Sequence, residues 1–199
     1  MALKYAVNNS LSAITSLPSS ISGGALNLIS TQTASGSATI DFTSGIDSTY
    51  DSYVFKFINI HPSNAQDLSF QTSTNGGSSY GVTATTTNFR AYHDEGDTAT
   101  ALVYTSAVDL AQSTNFILLN YGSTGTDNDD NCVGTLTLYN PSSTTFVKHF
   151  ISTTNTSIGY SIQNFTAGYF NTTSIINAVQ FKMSSGNIDD GIIKMYGVS

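Results

Sequence analysis

Val179, Phe181 and Met183 alternate with Gln180 and Lys182. An apolar residue at every second position is what a strand with one dry and one wet face requires. The same period of two runs through Leu26 and Leu28, Ile40 and Phe42, and Leu68 and Phe70, with Ser, Thr, Asn, Asp or Gln between them. Residues 53–60 are more continuously apolar around the single Lys56, which predicts a strand covered on both faces. Residues 116–121, 133–139, 146–151 and 192–196 supply further strands of the same kind.

Turn chemistry separates these runs at short intervals: Ser35-Gly36, Asn75-Gly76-Gly77, residues 123–127, Asn140-Pro141 and Ser185-Gly186-Asn187. Ten to twelve strands follow, with no convincing helix after Gly24. Composition closes the helical alternative. The chain has 29 Ser and 28 Thr but one glutamate, Glu95. Exposed helix faces draw on Glu, Lys and Arg, whereas Ser, Thr and Asn suit strands and turns. With 11 Phe and 11 Tyr the chain can bury a sizeable core. Strands of this number and spacing predict an all-β antiparallel β-sandwich. An immunoglobulin-type sandwich usually shows a core Trp between paired Cys. This chain has no Trp and one Cys, so a jelly-roll-like topology is preferred.

Residues 1–24 read differently. Leu3, Val7, Leu11, Ile14 and Leu17 recur at helical spacing, interrupted by Asn8-Asn9-Ser10 and ended by Pro18. The division predicted is a short N-terminal arm for assembly over residues 1–24, docking on a neighbouring subunit or a larger assembly, and one sandwich domain over residues 25–199.

Several functions are disfavoured at this stage. There is no apolar run of the ~18 residues a membrane span needs, and the N-terminus makes a poor secretion signal. One Arg, five Lys and a net charge of −7 argue against binding a phosphate backbone. The lone Cys132 precludes an intramolecular disulfide framework.

Chemistry-bearing clusters are few. Tyr92-His93-Asp94-Glu95-Gly96-Asp97 gathers an imidazole and three carboxylates, yet neighbours on a strand face opposite ways. Asp127-Asn128-Asp129-Asp130-Asn131 is dense in oxygen, but Cys132 and Leu138 stand where the helix–loop–helix calcium motif needs Gly and Glu. His61 and His149 lack partners at metal-ligand spacing. No nucleophile elbow, phosphate loop or dinucleotide fingerprint is present. The expectation is therefore no enzyme, no catalytic residue, no metal and no cofactor. The aromatic and carboxylate groups of Tyr92, His93, Asp94, Asp97, Asp127 and Asp129, on two loops expected over residues 89–97 and 123–131, are the receptor-contact candidates, since such groups suit sugar rings and hydroxyls.

Phe42-Thr43-Ser44-Gly45-Ile46-Asp47-Ser48-Thr49-Tyr50, followed by Tyr53-Val54-Phe55-Lys56-Phe57-Ile58-Asn59-Ile60-His61-Pro62, resembles a segment common in virion appendage proteins of marine tailed bacteriophages, cyanophages especially. Phe89-Arg90-Ala91-Tyr92-His93, Leu138-Tyr139-Asn140-Pro141-Ser142-Ser143 and residues 70–80 and 179–188 are similar to further stretches of that family. The resemblance spans about residues 25–199. It implies a structural protein on the phage exterior, a tail fibre or tail tip contacting the host surface, with a capsid decoration (head fibre or cement) as the alternative. It also implies a homotrimer or other symmetric assembly, attached to the particle through the arm, with other virion proteins and a host surface glycan as partners, and neither nucleic-acid binding nor membrane insertion. It supplies no active site to carry over. A glycan-depolymerising enzyme or a carbohydrate-binding module is the further alternative. The short stretch before the domain departs from the extended shaft of a long fibre and favours a tip protein, an adaptor-mounted fibre or a head decoration.

Overall fold

The computed structural model describes residues 26–199; the proposed arm with Leu3, Val7, Leu11, Ile14 and Leu17 lies outside the described residues. Twelve strands follow in order: β1 (Asn27–Thr33), β2 (Ile40–Phe42), β3 (Ser52–Pro62), β4 (Leu68–Ser73), β5 (Ala84–Asp94), β6 (Thr100–Tyr104), β7 (Ile117–Leu118), β8 (Cys132–Tyr139), β9 (Lys148–Ser157), β10 (Tyr160–Phe170), β11 (Ala178–Met183) and β12 (Ile188–Val198). One 3-10 turn, Ser106–Val108, is the only helical element among the described residues.

The strands form two antiparallel sheets, one of eight in the order β1-β12-β3-β8-β9-β10-β5-β6 and one of four in the order β2-β11-β4-β7. If the hairpins β5–β6 and β9–β10 are set aside, the remaining eight strands alternate between the sheets except at β4 and β7, which follow each other within the smaller one. The first, eighth, third and sixth of them lie in one sheet, and the second, seventh, fourth and fifth in the other. That is the jelly-roll order. The two hairpins are insertions that extend the larger sheet past β8 as a four-stranded wing.

Phenylalanines hold the two sheets together. Phe181 of β11 meets Phe55 and Phe57 of β3 at 5.3 Å between ring centres, and Phe70 of β4 meets Phe150 of β9 at 5.0 Å, all edge-on, while Phe70 and Phe181 stack on each other within the smaller sheet. Such contacts contribute about 0.5–1.5 kcal/mol each beyond area burial. Burial along β3 alternates, which corrects the expectation of a strand covered on both faces. Tyr53, Phe55 and Phe57 are inside, whereas Val54, Lys56 and Ile58 are half-buried on the outer face beneath lateral neighbours. The stem of Lys56 lies beside Tyr196, with its ammonium 5.3 Å from the ring centre.

A second difference concerns residues 89–97. They were expected as a loop, but through Asp94 they belong to β5, fully paired with β10. The hydrophobic contrast along Ala84–Asp94 is weak because hydroxyl and amide side chains occupy its inner face. Period-two patterning is hard to see where both faces are polar. Conversely, of residues 116–121 only Ile117–Leu118 form a strand.

Candidate functional site

A four-stranded sheet cannot cover an eight-stranded one, so the wing's inner face needs another lid. Residues 105–124 provide it, joined by hydrogen bonds from the strands below. The Thr105 amide donates to the Asn88 carbonyl (2.9 Å), and Thr86 Oγ1 accepts from the Leu110 amide (2.8 Å). Thr154 Oγ1 donates to the Leu119 carbonyl (2.7 Å), and Asn164 Oδ1 accepts from the Tyr121 amide (3.0 Å). Asn88, Thr154, Thr156, Asn164 and Thr166 are all buried. The wing therefore has a core of Thr and Asn, whose cost of burial is offset because most of their polar atoms are paired.

The lid stops short of the hairpin tips and leaves a cleft of about 440 Å3, within the ~300–1,000 Å3 usual for small-ligand sites. Arg90 and Tyr92 reach it from β5, Tyr160 and Ile162 from β10. Ala99, Gly122 and Ile158 close it from the turns. Tyr92 and Tyr160 meet edge-on at 6.0 Å.

Arg90 is the chain's one arginine. Its guanidinium lies 4.7 Å from the ring centre of Tyr121 and 5.4 Å from that of Tyr92, a favourable position for a cation against aromatic faces. Its Nη1 donates to the Tyr121 carbonyl at 2.7 Å. No carboxylate among the described residues forms an ion pair with it, and its Nε is buried without an acceptor. Asn164, directly paired with Arg90 across β5 and β10, likewise holds a buried Nδ2 without an acceptor. Two neighbouring donors thus lack an oxygen.

Asp67 stands near this group. Its Oδ1 accepts from the Ser123 amide at 2.8 Å. Burial pushes its carboxyl above the usual 3.8, against the opposing pull of the Ser123 and Gly122 amides and of Arg90.

The six receptor-contact candidates are dispersed. Tyr92 lines the cleft. His93, next along β5, points to the outer face and lies 3.1 Å from Asp97. Asp94 turns inward and organises the tip of its own hairpin, accepting from the amides of Thr98 (2.9 Å) and Ala99 (2.6 Å) and from Thr98 Oγ1 (2.6 Å). Those donors hold its carboxyl below the usual value. Asp127 and Asp129 are exposed on a turn near His61, whose Nε2 lies 3.3 Å from the Asp127 carbonyl. Arg90, Tyr160 and Tyr121 were not among the candidates. The available signal was Arg90 itself, a solitary arginine two residues before Tyr92.

The cleft lining presents aromatic walls, an aliphatic floor and one cation. Among the described residues no three His, Cys, Asp or Glu side chains cluster as a metal site. Cys132 is fully buried, and burial pushes its thiol up to about 12, which makes it a packing residue. No helix among the described residues is long and apolar enough to cross a membrane. No protein-family model matches the chain, and neither a curated protein nor a solved structure matches it.

Proposed function

We propose that this protein is a non-catalytic attachment domain of a tailed-phage virion, a tail tip or fibre component, that contacts a glycan on the host surface through the cleft at the wing's tip. The observation that carries glycan contact is the grouping of Tyr92, Tyr160 and Tyr121 around an arginine with no carboxylate partner, in an open cleft of saccharide size. Aromatic faces stack on the C–H faces of sugar rings, and hydrogen-bond donors between them take the hydroxyls. The virion context rests on the family resemblance of residues 25–199. Adsorption tests it: particles carrying Tyr92→Ala and Tyr160→Ala should assemble normally and adsorb to host cells much more slowly. Unchanged adsorption counts against the reading.

A decoration role is the second reading, favoured by the rim of the larger sheet. Its terminal strand β6 is uncharged, and Leu102, Val103 and Tyr104 are all exposed along it. Phe89 and Phe165 stack beside it at 4.7 Å on the outer face. An apolar edge with free backbone groups suits pairing with a second copy, which accords with a symmetric assembly on the particle.

A further inference from the structure

We infer that the cleft takes a sugar residue bearing a carboxylate, with Arg90 as the group that recognises the acid; this rests on the glycan-contact reading above and narrows it to one class. The chain has 13 acidic residues and one arginine, yet that arginine is left without an ion pair. A guanidinium set among tyrosines and a lid has lost part of its hydration, and a carboxylate is the planar acceptor its fork matches. Beneath it, Arg90 Nε and Asn164 Nδ2 are buried donors without an oxygen and Asn88 Oδ1 is a buried acceptor without a donor, so the protein's own groups leave the guanidinium's acceptor demand unmet. The nearby carboxylate, Asp67, is engaged by the Ser123 amide.

Charge decides between acids. A phosphate or sulfate cluster calls for several cations, and the cleft lining supplies one. A single carboxylate on a ring with apolar faces matches one cation between aromatic walls. Solvated tip carboxylates are screened beyond about 8 Å at physiological salt, while a contact pair inside the cleft is screened much less. Steering by the tips is weak, and the contact sets the preference.

The solitary arginine also makes the test clean, because its Nε–H gives one unambiguous NMR signal. The whole chain is titrated with two trisaccharides of one backbone, one ending in glucuronic acid and the other in glucose. The acidic ligand should bind at least tenfold more tightly and shift the Arg90 signal saturably. Arg90→Lys, which keeps the charge and loses the fork, should lower the ratio severalfold by weakening the acidic ligand more than the neutral one, and Tyr160→Ala should weaken both ligands alike. Equal binding with an unmoved Arg90 signal overturns the acid preference and leaves glycan contact standing. Binding of neither trisaccharide removes both. Should Arg90→Lys misfold, judged by circular dichroism, the wild-type ratio and the Arg90 signal decide alone.

Discussion

Gly122 is the surface on which the Arg90 guanidinium rests: a Cβ at position 122 would stand 2.5 Å from Arg90 Nη1 and 2.8 Å from Ile162 Cδ1. Gly122 also has a φ of +118°, a region that residues with a side chain rarely occupy. Gly122→Ala should therefore cost about 1–3 kcal/mol from backbone strain alone and displace Arg90 from Tyr121. Urea unfolding reads the first effect. A shifted Arg90 Nε–H signal in the folded variant reads the second.

Thr154→Val keeps the shape and strand preference of the side chain and deletes one hydroxyl. The Leu119 carbonyl then loses the donor that reaches it from below. The expected loss is about 1–3 kcal/mol, the cost of a buried polar group left unpaired. Chemical denaturation measures it, and amide exchange in residues 119–124 should accelerate.

Two phenylalanines should behave very differently. Phe181 is fully buried and touches the rings of Phe42, Phe55, Phe57 and Phe70. Phe181→Ala should cost about 3–5 kcal/mol. Phe165 stacks on Phe89 at the surface, so Phe165→Thr should cost under about 1 kcal/mol. Calorimetric melting of both variants checks the contrast.

Asp67 predicts a pH effect of definite sign. Its folded pKa is raised above the unfolded 3.8. Between those two values the native state binds more protons than the unfolded state, so Asp67's contribution to stability falls as pH rises through that window and is constant above it. Asp67→Asn keeps an acceptor for the Ser123 amide and removes the charge. At neutral pH the variant should melt higher than wild type, and the gap should close as pH falls toward 4. A gap that widens on acidification contradicts this account.

Leu102→Lys places a charge on the exposed rim of β6, where Leu102 is 74% exposed. The fold should be unaffected, since that side chain is mostly exposed. If copies pair along β6, sedimentation velocity should show the assembly reduced to monomer. An undiminished assembly would locate the contact elsewhere.

The jelly-roll portion was legible in the sequence because its strands have strong contrast. Phe42, Phe70 and Phe181 alternate with polar residues, and each run ends in Gly, Asn or Pro. The wing was not legible. On β5 and β10 the inward residues include Thr86, Asn88, Asn164 and Thr166, so inner and outer faces look alike to any hydrophobic count. Residues 89–94 therefore looked like a loop, and the partners of Tyr92 went unseen. Tyr160 and Gly122 come to Arg90 from distant parts of the chain, and only the pairing of β10 with β5 and the course of the lid unite them.

The two inserted hairpins lie outside the eight-strand order, and their tips carry much of the cleft rim. Those tips can be lengthened, shortened or exchanged without re-registering a single strand of the phenylalanine-filled body. The molecule thus separates chassis from grip, and specificity could be retuned by grafting at residues 95–99 and 158–159 while the sandwich is left as it is.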